Sequence, residues 1–444
     1  MTQTARATPA LDPGRRWRNW GRSVTAEPSH RARPASVDEL VEVIAYAREA
    51  GLTVRPVGAG HSFTPIAATD GIQLDVSALD GVPAVDGSMV TLGAGTNLYQ
   101  LPALLGPLGL ALQNMGDIDR QTIAGATSTG THGTGNAFGG LATRIRAATL
   151  VTAAGELLRV APDENAELLP AVALGLGALG VLVDVTIECV PAFVLQAVER
   201  PESLDTVLAE WTDRVDGADH FEFYVWPHTD TALTKTNTRL PAGAPLQPLP
   251  PFGRWFDDEF MANGVYRATL TLGRAIPAVV PPLNRLSVRL TGNREFTDLS
   301  PRVFTTNRTV RFREMEYALP LEHVPAAVDR IRALIADRGW SISFPIEVRA
   351  AAADDLWLST AHGRRTGYIA VHRWFREDPT AYFAAVEAIM REYDGRPHWG
   401  KMHTRSAEDL RPSYPRFDDF LAVRDRLDPE RLFTNPYLTR VLGS

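Results

Sequence analysis

The stretch "MGDIDRQTIAGATSTGTHGTGNAFGG", Met115 to Gly140, is the segment on which the fold depends. Its residues are small, polar and rich in glycine, so it cannot run along its length as a core helix or a core strand. It is either a flexible linker or a backbone surface wrapped round a ligand. Linkers seldom place histidine and isoleucine among their glycines, and strands are predicted on both sides. Ligand binding is therefore favoured, because dense amide and hydroxyl donors suit a pyrophosphate.

A second glycine-rich loop, "RPVGAGHSFTP", spans Arg55 to Pro65 and follows a predicted strand. It resembles half of a G-x-G-x-x-G dinucleotide fingerprint. The third glycine is replaced by Phe63, and the residues after it are rich in turn formers, so the Rossmann reading is excluded. The amides of such a turn can still bind a phosphate. His61 could be a metal ligand, a base, a packed side chain or a residue attached to a cofactor.

The composition narrows the function classes. A chain of 444 residues is too long for one ordinary core and predicts two domains. The net charge of −7 argues against a general nucleic-acid partner. The single cysteine, Cys189, excludes a disulfide and a Cys-based zinc site within one chain. The longest apolar run, Ala171 to Val183, is shorter than the roughly 20 residues of a membrane span. A cytoplasmic protein is expected, with a peripheral position at a membrane as the alternative.

A helix with clear start and stop signals is predicted over "SVDELVEVIAYAREAG", residues 36–51. Ser36 is placed to cap it, and Glu39 completes a capping box. Gly51 is expected to end it. Its apolar stripe is made of Leu40, Val43, Ile44 and Ala47. Strands are predicted around the two loops, in "LTVRPV", "IQLDVSAL", "AVDGSMVTLGAG", "IRAATLVTAAGELLRV" and "GVLVDVTIECV".

The composition changes after Pro191. The proline-rich segment "RLPAGAPLQPLPPFGRW", residues 239–255, is predicted to be an irregular loop. Strands are predicted in "HFEFYVWPHTD", "VRFREMEYALP", "SISFPIEVRA" and "GYIAVHRWF", and helices in "EHVPAAVDRIRALIADRG" and "DPTAYFAAVEAIMREYDG". This alternation indicates an α+β domain with a largely antiparallel sheet.

The motifs now carry a family resemblance. The order of a strand, "VGAGHSF", a second "GAG" and then "QNMGDIDRQTIAGATSTGTHGTG" resembles the FAD domain of the vanillyl-alcohol-oxidase flavoprotein superfamily. The "HWGK" at His398 to Lys401 resembles the aldonolactone oxidoreductase branch, closest to its bacterial L-gulono-1,4-lactone dehydrogenases. The likeness runs from about Trp20 to the C-terminus. It implies an α+β fold with a two-subdomain FAD-binding domain of the PCMH type and an α+β cap domain.

The resemblance also implies domain boundaries. Residues 1–19 are expected to form a flexible tail, residues 20–190 the FAD-binding domain and residues 191–394 the substrate-binding cap. Residues 395–444 are expected to return to the FAD domain.

The resemblance implies a set of FAD-binding residues in both loops and near the C-terminus. They are Val57, Gly58, Ala59, Gly60, His61, Ser62, Gly95, Gly116, Asp117, Thr122, Gly125, Ala126, Ser128, Thr129, Gly130, Thr131, His132, Gly133, Gly180, Val181, His398 and Lys401. In many members the histidine at the position of His61 bonds covalently to the flavin. The alternative is that His61 only packs or hydrogen-bonds there. His132 is interpreted as a structural hydrogen-bonding residue of the FAD loop.

The predicted strand "SISFPIEVRA" places Glu347 and Arg349 on one face, because side chains alternate along a strand. From spacing alone a solvated surface pair is the favoured interpretation of these charges. The resemblance matches them to the substrate-binding pair of the family. Arg349 would hold lactone oxygens or stabilise the reduced flavin, and Glu347 would take the proton of the oxidised hydroxyl.

Two further residues are candidates for the substrate site. Lys401 would stabilise negative charge or bind a substrate hydroxyl. His372 would contact substrate, with a half-buried structural histidine as the alternative. His398 and His403 are five residues apart, a poor helical metal pair, so a metal site is not expected.

The resemblance thus implies an FAD-linked enzyme that removes a hydride from an aldono-1,4-lactone, such as L-gulono-1,4-lactone, which would give L-ascorbate. An alditol oxidase, an oxidase of specialised metabolism and a non-catalytic flavin-binding protein are the alternatives. Oxygen, a cytochrome or a quinone would accept the electrons. Gly116 permits oxygen access, because relatives that exclude oxygen can carry alanine there.

Overall fold

The computed structural model describes residues 9–251 and 263–444. Its N-terminal part holds a four-stranded sheet in the order Asp12–Pro13, His30–Ala32, Ile72–Asp75 and Val54–Val57. Both pairings with Ile72–Asp75 are parallel. Regular pairing therefore begins inside the tail that was expected to be flexible. Within that tail, Asp12–Pro13 pairs with His30–Ala32, and Trp17–Arg18 pairs with Thr25–Ala26.

The first long helix, Val37–Ala50, confirms Ser36 as its cap and Gly51 as its end, but Glu39 accepts from the Ala35 amide in place of the Ser36 amide that the predicted capping box requires. The Ser36 hydroxyl accepts a hydrogen bond from the Glu39 amide at 3.2 Å, and the Glu39 carboxylate accepts one from the Ala35 amide at 2.8 Å. Gly51 ends the helix in the left-handed conformation, at φ 65°. The four residues of the predicted stripe are all buried against this first sheet.

A second sheet of five antiparallel strands follows. Its order is Leu157–Val160, Ile145–Val151, Val181–Glu188, Met89–Gly93 and Ala84–Asp86. The predicted hairpin over "AVDGSMVTLGAG" is confirmed by its last two strands. A separate two-stranded pair joins Leu110–Ala111 to Val190–Pro191. The glycine-rich stretch therefore lies between strands, as expected.

Most of the Met115–Gly140 stretch is irregular, but Ile123–Ser128 forms a short helix that the sequence did not predict. Thr122 supplies its start signal, because its hydroxyl accepts the Gly125 amide at 3.2 Å. Short helices also precede and follow this stretch at Leu101–Leu105 and Leu169–Val172.

The C-terminal half is built on an eight-stranded sheet, antiparallel throughout. Its order is Arg294–Leu299, Phe193–Ser203, Thr231–Pro241, His220–Val225, Ile346–Ala351, Thr366–Trp374, Phe312–Pro320 and Arg396–Pro397. This confirms the largely antiparallel sheet. The strand predicted from Ser341 begins only at Ile346, because Pro345 just before it has no amide proton to give to a neighbouring strand.

Helices cover one face of this sheet and form a second core with it. The helices of the C-terminal half are Leu204–Ala209, Trp211–Asp216, Tyr266–Ala275, Val280–Leu290, Ser300–Phe304, Val324–Asp337, Thr380–Glu392, Ala407–Leu410, Phe417–Leu427 and Pro436–Leu442. Within residues 9–251 and 263–444, no helix has the length and apolar content needed to cross a bilayer. The predicted proline-rich loop begins inside the strand Thr231–Pro241, and its last residues, 252–255, lie outside the described residues.

The C-terminal segment packs back against the N-terminal sheet through buried polar residues. The Arg55 guanidinium donates to the carbonyls of Leu176, Gly177 and Phe433 at 2.6–3.0 Å. The Asn435 amide donates to three carbonyls of residues 65–68. Because Arg55 is completely buried, these bonds satisfy donors that would otherwise destabilise the fold. They agree with the expected return of residues 395–444, although the exact domain boundaries stay a prediction.

Candidate flavin and substrate site

The two glycine-rich loops meet at one open cleft, whose empty space of about 830 Å³ includes the solvent at its mouth. The wall comes from residues 55–62 on one side and from residues 121–129 on the other, with the turn at residues 176–182 between them. The arrangement brings backbone amides and small hydroxyls to one concave surface.

Glycine is required in the first loop because the backbone passes close to its neighbours. A Cβ at Gly58 would lie 2.2 Å from the Thr122 hydroxyl, which already caps the short helix. Gly60 has φ +67°, and a Cβ there would lie 3.1 Å from the Trp17 ring. These positions keep the cavity open by having no side chain.

His61 lies on the wall of this cavity and its Nδ1 is buried without a hydrogen-bond partner. Its ring stacks on Trp20, with 5.6 Å between the ring centres. Burial lowers the pKa of His61 to about 4, and the Ala59 backbone opposes this shift only in part. The imidazole is therefore neutral near pH 7. A neutral buried ring nitrogen with no partner, beside a cradle of glycine amides, fits a flavin dinucleotide.

The predicted FAD-binding residues fall into two groups. Those that line the cavity are Val57, Gly58, Ala59, Gly60, His61, Ser62, Thr122, Gly125, Ser128, Thr129 and Gly180. The others lie elsewhere in the described structure: Gly95, Gly116, Asp117, Ala126, Gly130, Thr131, His132, Gly133, Val181, His398 and Lys401. Ala126 and Val181 are fully buried core residues. Sequence reasoning missed lining residues such as Trp17, Gln121 and Leu176, which flank the glycines.

Glu347 and Arg349 lie on the same face of Ile346–Ala351, as predicted, and form a direct ion pair. They are not a solvated surface pair, because their side chains are only 14% and 11% exposed. Arg349 Nε also donates to Glu222 at 2.9 Å. The Tyr224 hydroxyl lies 3.2 Å from a carboxylate oxygen of Glu222 and 3.2 Å from one of Glu347.

The surroundings of Glu347 and Glu222 shift the pKa values of these two carboxylates in opposite directions. Burial raises the pKa of Glu347 above its usual value; Arg349 opposes the rise and Glu222 adds to it. Burial alone would also raise the pKa of Glu222, but Arg349 and Lys235 hold it below its usual value. Of the two carboxylates, Glu347 is therefore the one that binds a proton more readily.

Lys401 pairs with Glu314, a residue of the strand Phe312–Pro320. Burial alone would lower the pKa of Lys401, but Glu314 and Glu316 raise it. His372 Nδ1 donates to the Pro345 carbonyl at 3.1 Å. Its Nε2 then faces Glu314 at 3.7 Å and Glu347 at 4.0 Å. His372 thus lies between the two carboxylates.

Asp117 points toward the cap and away from the flavin cavity. Its carboxylate accepts hydrogen bonds from Thr306 at 2.6 Å and from Arg308 at 2.8 Å. Burial alone would raise the pKa of Asp117, but Arg308 and Arg349 hold it below its usual value. The structure thus joins Asp117 to the charged cluster around Arg349, where the sequence had placed it with the cofactor.

His132, Glu316 and His398 form a buried contact between the FAD loop, the cap and the C-terminal segment. His132 Nδ1 donates to the Gly133 carbonyl, and its Nε2 lies 3.3 Å from Glu316. The donor atoms of the three residues lie within 4.8 Å of one another, a spacing that could hold a metal. His398 Nδ1, however, accepts the Gly400 amide, so its Nε2 carries the proton and cannot ligate. The hydrogen-bonding role predicted for His132 fits this geometry.

Sequence reasoning missed Glu222, Tyr224, Glu314 and Arg308. The alternation in "HFEFYV" and "FREMEY" already places Glu222 with Tyr224, and Glu314 with Glu316. Strand pairing was the missing information: Tyr224 lies opposite Glu347, and Glu314 lies opposite His372.

Comparison with known proteins places these observations in context. Residues 28–161 match the family model of an FAD binding domain, and residues 185–441 match that of D-arabinono-1,4-lactone oxidase. The chain is 46% identical over 429 residues to L-gulono-1,4-lactone dehydrogenase of Mycobacterium tuberculosis, covering 96% of this chain and 99% of that protein. It is 33% identical to L-gulonolactone oxidase of Bos taurus, covering 96% and 98%.

A solved structure shows a similar architecture. The crystal structure of cholesterol oxidase from B. sterolicum superposes with a TM-score of 0.81 at 18% identity, covering 98% of this chain and 97% of that one. At this identity the likeness concerns the fold alone. It confirms the predicted fold class, in which a PCMH-type FAD domain carries an α+β cap.

Proposed function

Because this chain belongs to the D-arabinono-1,4-lactone oxidase family, we propose that it oxidises an aldono-1,4-lactone, with L-gulono-1,4-lactone as the first substrate to test. It is an FAD-linked oxidoreductase that acts on CH–OH donors. The observation that carries the choice is the buried Glu347–Arg349 pair, which joins one proton acceptor to one fixed cation. The keto-lactone formed from L-gulono-1,4-lactone would tautomerise to L-ascorbate.

Glu347 takes the proton of the substrate hydroxyl as the carbonyl forms. Its raised pKa suits this step, because an ordinary carboxylate is a much weaker base. Tyr224 and Arg349 hold the carboxylate in place. When bound, FAD supplies the acceptor for the hydride that leaves the same carbon. Proton and hydride together account for the two hydrogens lost.

Arg349, Lys401 and His372 bind the substrate oxygens. Arg349 is held by Glu222 and Glu347, so its remaining guanidinium edge is fixed before substrate arrives. Lys401 is pinned by Glu314 and stays charged. Arg308 pairs with Asp117, and Lys235 lies 3.9 Å from Glu222, so the surroundings of Arg349 are charged and suit a polyhydroxylated molecule better than an apolar one.

FAD is held by the residues that line the cavity, and His61 forms the covalent link to it. The support is the neutral, unpartnered Nδ1 on the cavity wall. Acid precipitation tests the link: yellow colour is expected in the pellet of the parent protein. In His61→Ala it should move to the supernatant, with slower flavin reduction. Colour wholly in the supernatant of the parent protein would contradict the link.

The electron acceptor is oxygen, a cytochrome or a quinone. Gly116 favours oxygen access, and a Cβ there would meet the His132 carbonyl at 3.0 Å. In Gly116→Ala, reoxidation by oxygen should slow while reduction by substrate changes little. Stopped-flow traces of the two half-reactions measure this separately.

Anaerobic flavin bleaching against a panel of sugars is the decisive experiment. L-gulono-1,4-lactone and its stereoisomers should bleach the flavin absorbance in seconds, and xylitol should do so far more slowly. Faster bleaching by xylitol would support an alditol oxidase. If neither a lactone nor a polyol bleaches the flavin, the proposed function is wrong.

A further inference from the structure

Two helices in series, Tyr266–Ala275 and Val280–Leu290, present an unusual outer face on the cap. Four large apolar residues on it are exposed: Leu272 (46%), Ile276 (51%), Leu286 (50%) and Leu290 (67%). Elsewhere in the described residues, exposed residues of this kind, such as Val85, Leu108 and Leu157, lie far apart along the chain. We call the outer face of residues 266–290 the basic apolar surface.

The charge of this segment is as one-sided as its hydrophobicity. Residues 266–290 contain four arginines and no aspartate or glutamate, in a chain whose net charge is −7. Arg285 and Arg289 are both exposed and lie one turn apart, directly beside Leu286 and Leu290. Cations therefore border the exposed leucines.

The inner face of the same helices is firmly packed, so the exposed leucines are not core residues left out of place. Asn284 donates to the carbonyls of Pro227 and Ile342 at 3.0 and 2.9 Å. Tyr266 donates to the Ser343 carbonyl at 3.0 Å. Leu270 and Val280 are buried. The outer leucines cannot turn inward without breaking these contacts.

We infer that the basic apolar surface binds the surface of an anionic lipid bilayer. Exposed leucines flanked by arginines are what an interfacial helix needs, since the apolar groups enter the headgroup boundary and the cations meet lipid phosphates. A second copy of the chain fits poorly, because self-association would bring two sets of arginines together. The binding is peripheral.

The position of this surface relates it to the candidate substrate site. The Tyr266 ring contacts Phe344 with 5.2 Å between centres, and Phe344 lies 6.1 Å from His372. Two aromatic rings therefore separate the lipid-binding helix from the charged cluster. A bound bilayer would lie next to the cap rather than beside the N-terminal sheet.

Flotation of the full-length holoprotein with vesicles tests the inference. Phosphatidylcholine vesicles that contain phosphatidylglycerol should carry the protein upward at low salt, and pure phosphatidylcholine should not. High salt should release it. Leu286→Ser/Leu290→Ser and Arg285→Glu/Arg289→Glu should each reduce the lipid-bound fraction by at least about tenfold. Lactone oxidation in solution should be unchanged.

Matched variants on other surfaces control for general loss of hydrophobicity or charge. Leu108→Ser/Leu157→Ser and Arg338→Glu/Arg426→Glu alter exposed residues of the same kinds and should bind vesicles like the parent protein. Equal flotation with both vesicle types, or equal loss in the control variants, overturns the inference. The inference is also overturned if the parent protein does not bind vesicles but forms a dimer in light scattering, and Leu286→Ser/Leu290→Ser dissociates that dimer.

Discussion

The flavin cavity and the charged cluster beneath the cap sheet are built in opposite ways. The cavity wall is backbone, and its shape depends on residues without side chains, such as Gly58 and Gly60. The cluster is made of side chains, including Glu222, Glu347 and Lys401, which come from distant parts of the chain. If FAD binding and the chemical step are separate, substitutions in the cluster should leave FAD binding unchanged. Substitutions in the cavity wall should likewise leave the reduction rate per bound flavin unchanged.

Glu347→Gln is the strongest test of this separation. Glutamine keeps the shape but cannot take a proton, so the rate of flavin reduction by lactone should fall by about 10²–10⁴-fold. FAD content should stay at the parent level, because Glu347 lies outside the cavity wall. Anaerobic stopped-flow absorbance measures the rate, and the visible spectrum measures the flavin.

Glu202→Gln is the matched control for that variant. Glu202 lies on the same sheet and also pairs with an arginine, Arg214 of the helix Trp211–Asp216, but away from the cluster. It should leave the reduction rate close to that of the parent protein. An unchanged rate in Glu347→Gln would remove Glu347 from the proposed mechanism.

The comparison also explains what could be predicted from the sequence. Glycine spacing is local, so the loops and His61 could be identified from adjacent residues. The Ser36 cap and the Gly51 stop of Val37–Ala50 are local too, and they are confirmed. Glu222 and Glu314 were missed because their meaning depends on which strands become neighbours, and alternation alone does not state that.

The same reasoning accounts for the errors in the fold. The helix Ile123–Ser128 was missed because glycine and threonine are weak helix formers, and Thr122 alone supplies the cap. The strand predicted from Ser341 was too long, since apolar alternation continued across Pro345 although pairing did not. The assignment of Asp117 to the cofactor, made from its position in a motif, stays a prediction; the hydrogen-bond partners that the structure shows for it come from the cap.

Gly58→Ala tests the other region and should have an intermediate effect. The new Cβ would overlap the Thr122 hydroxyl, which cannot rotate away without uncapping Ile123–Ser128. Overpacking of this size should weaken FAD retention by about tenfold. The reduction rate per bound flavin should remain near that of the parent protein.

Gly106→Ala provides the control, since a Cβ there would meet nothing within 4 Å. Its FAD content and thermal midpoint should match those of the parent protein. If Gly58→Ala lowers the reduction rate per flavin as strongly as Glu347→Gln does, the two regions are not separate.

Tyr224→Phe should have the smallest effect. It tests whether the Tyr224 hydroxyl helps to set the pKa of Glu347. A carboxyl whose pKa is raised is a base only above that pKa, so the reduction rate should fall as pH drops through it. Tyr224 lies within hydrogen-bonding distance of both carboxylates, and a donated proton stabilises their charged forms. Removing the hydroxyl should therefore raise the pKa of Glu347 further and move the acidic limb to higher pH.

The rate on the acidic limb should then fall by about threefold to tenfold, which corresponds to the roughly 1 kcal/mol that a typical hydrogen bond contributes. At high pH the two proteins should converge, because Glu347 is fully ionised in both. Tyr317→Phe removes a comparable tyrosine–glutamate bond, to Glu387 in the cap core, and should leave the limb in place. A uniform loss across pH in Tyr224→Phe would mean that the hydroxyl positions substrate and does not tune the base.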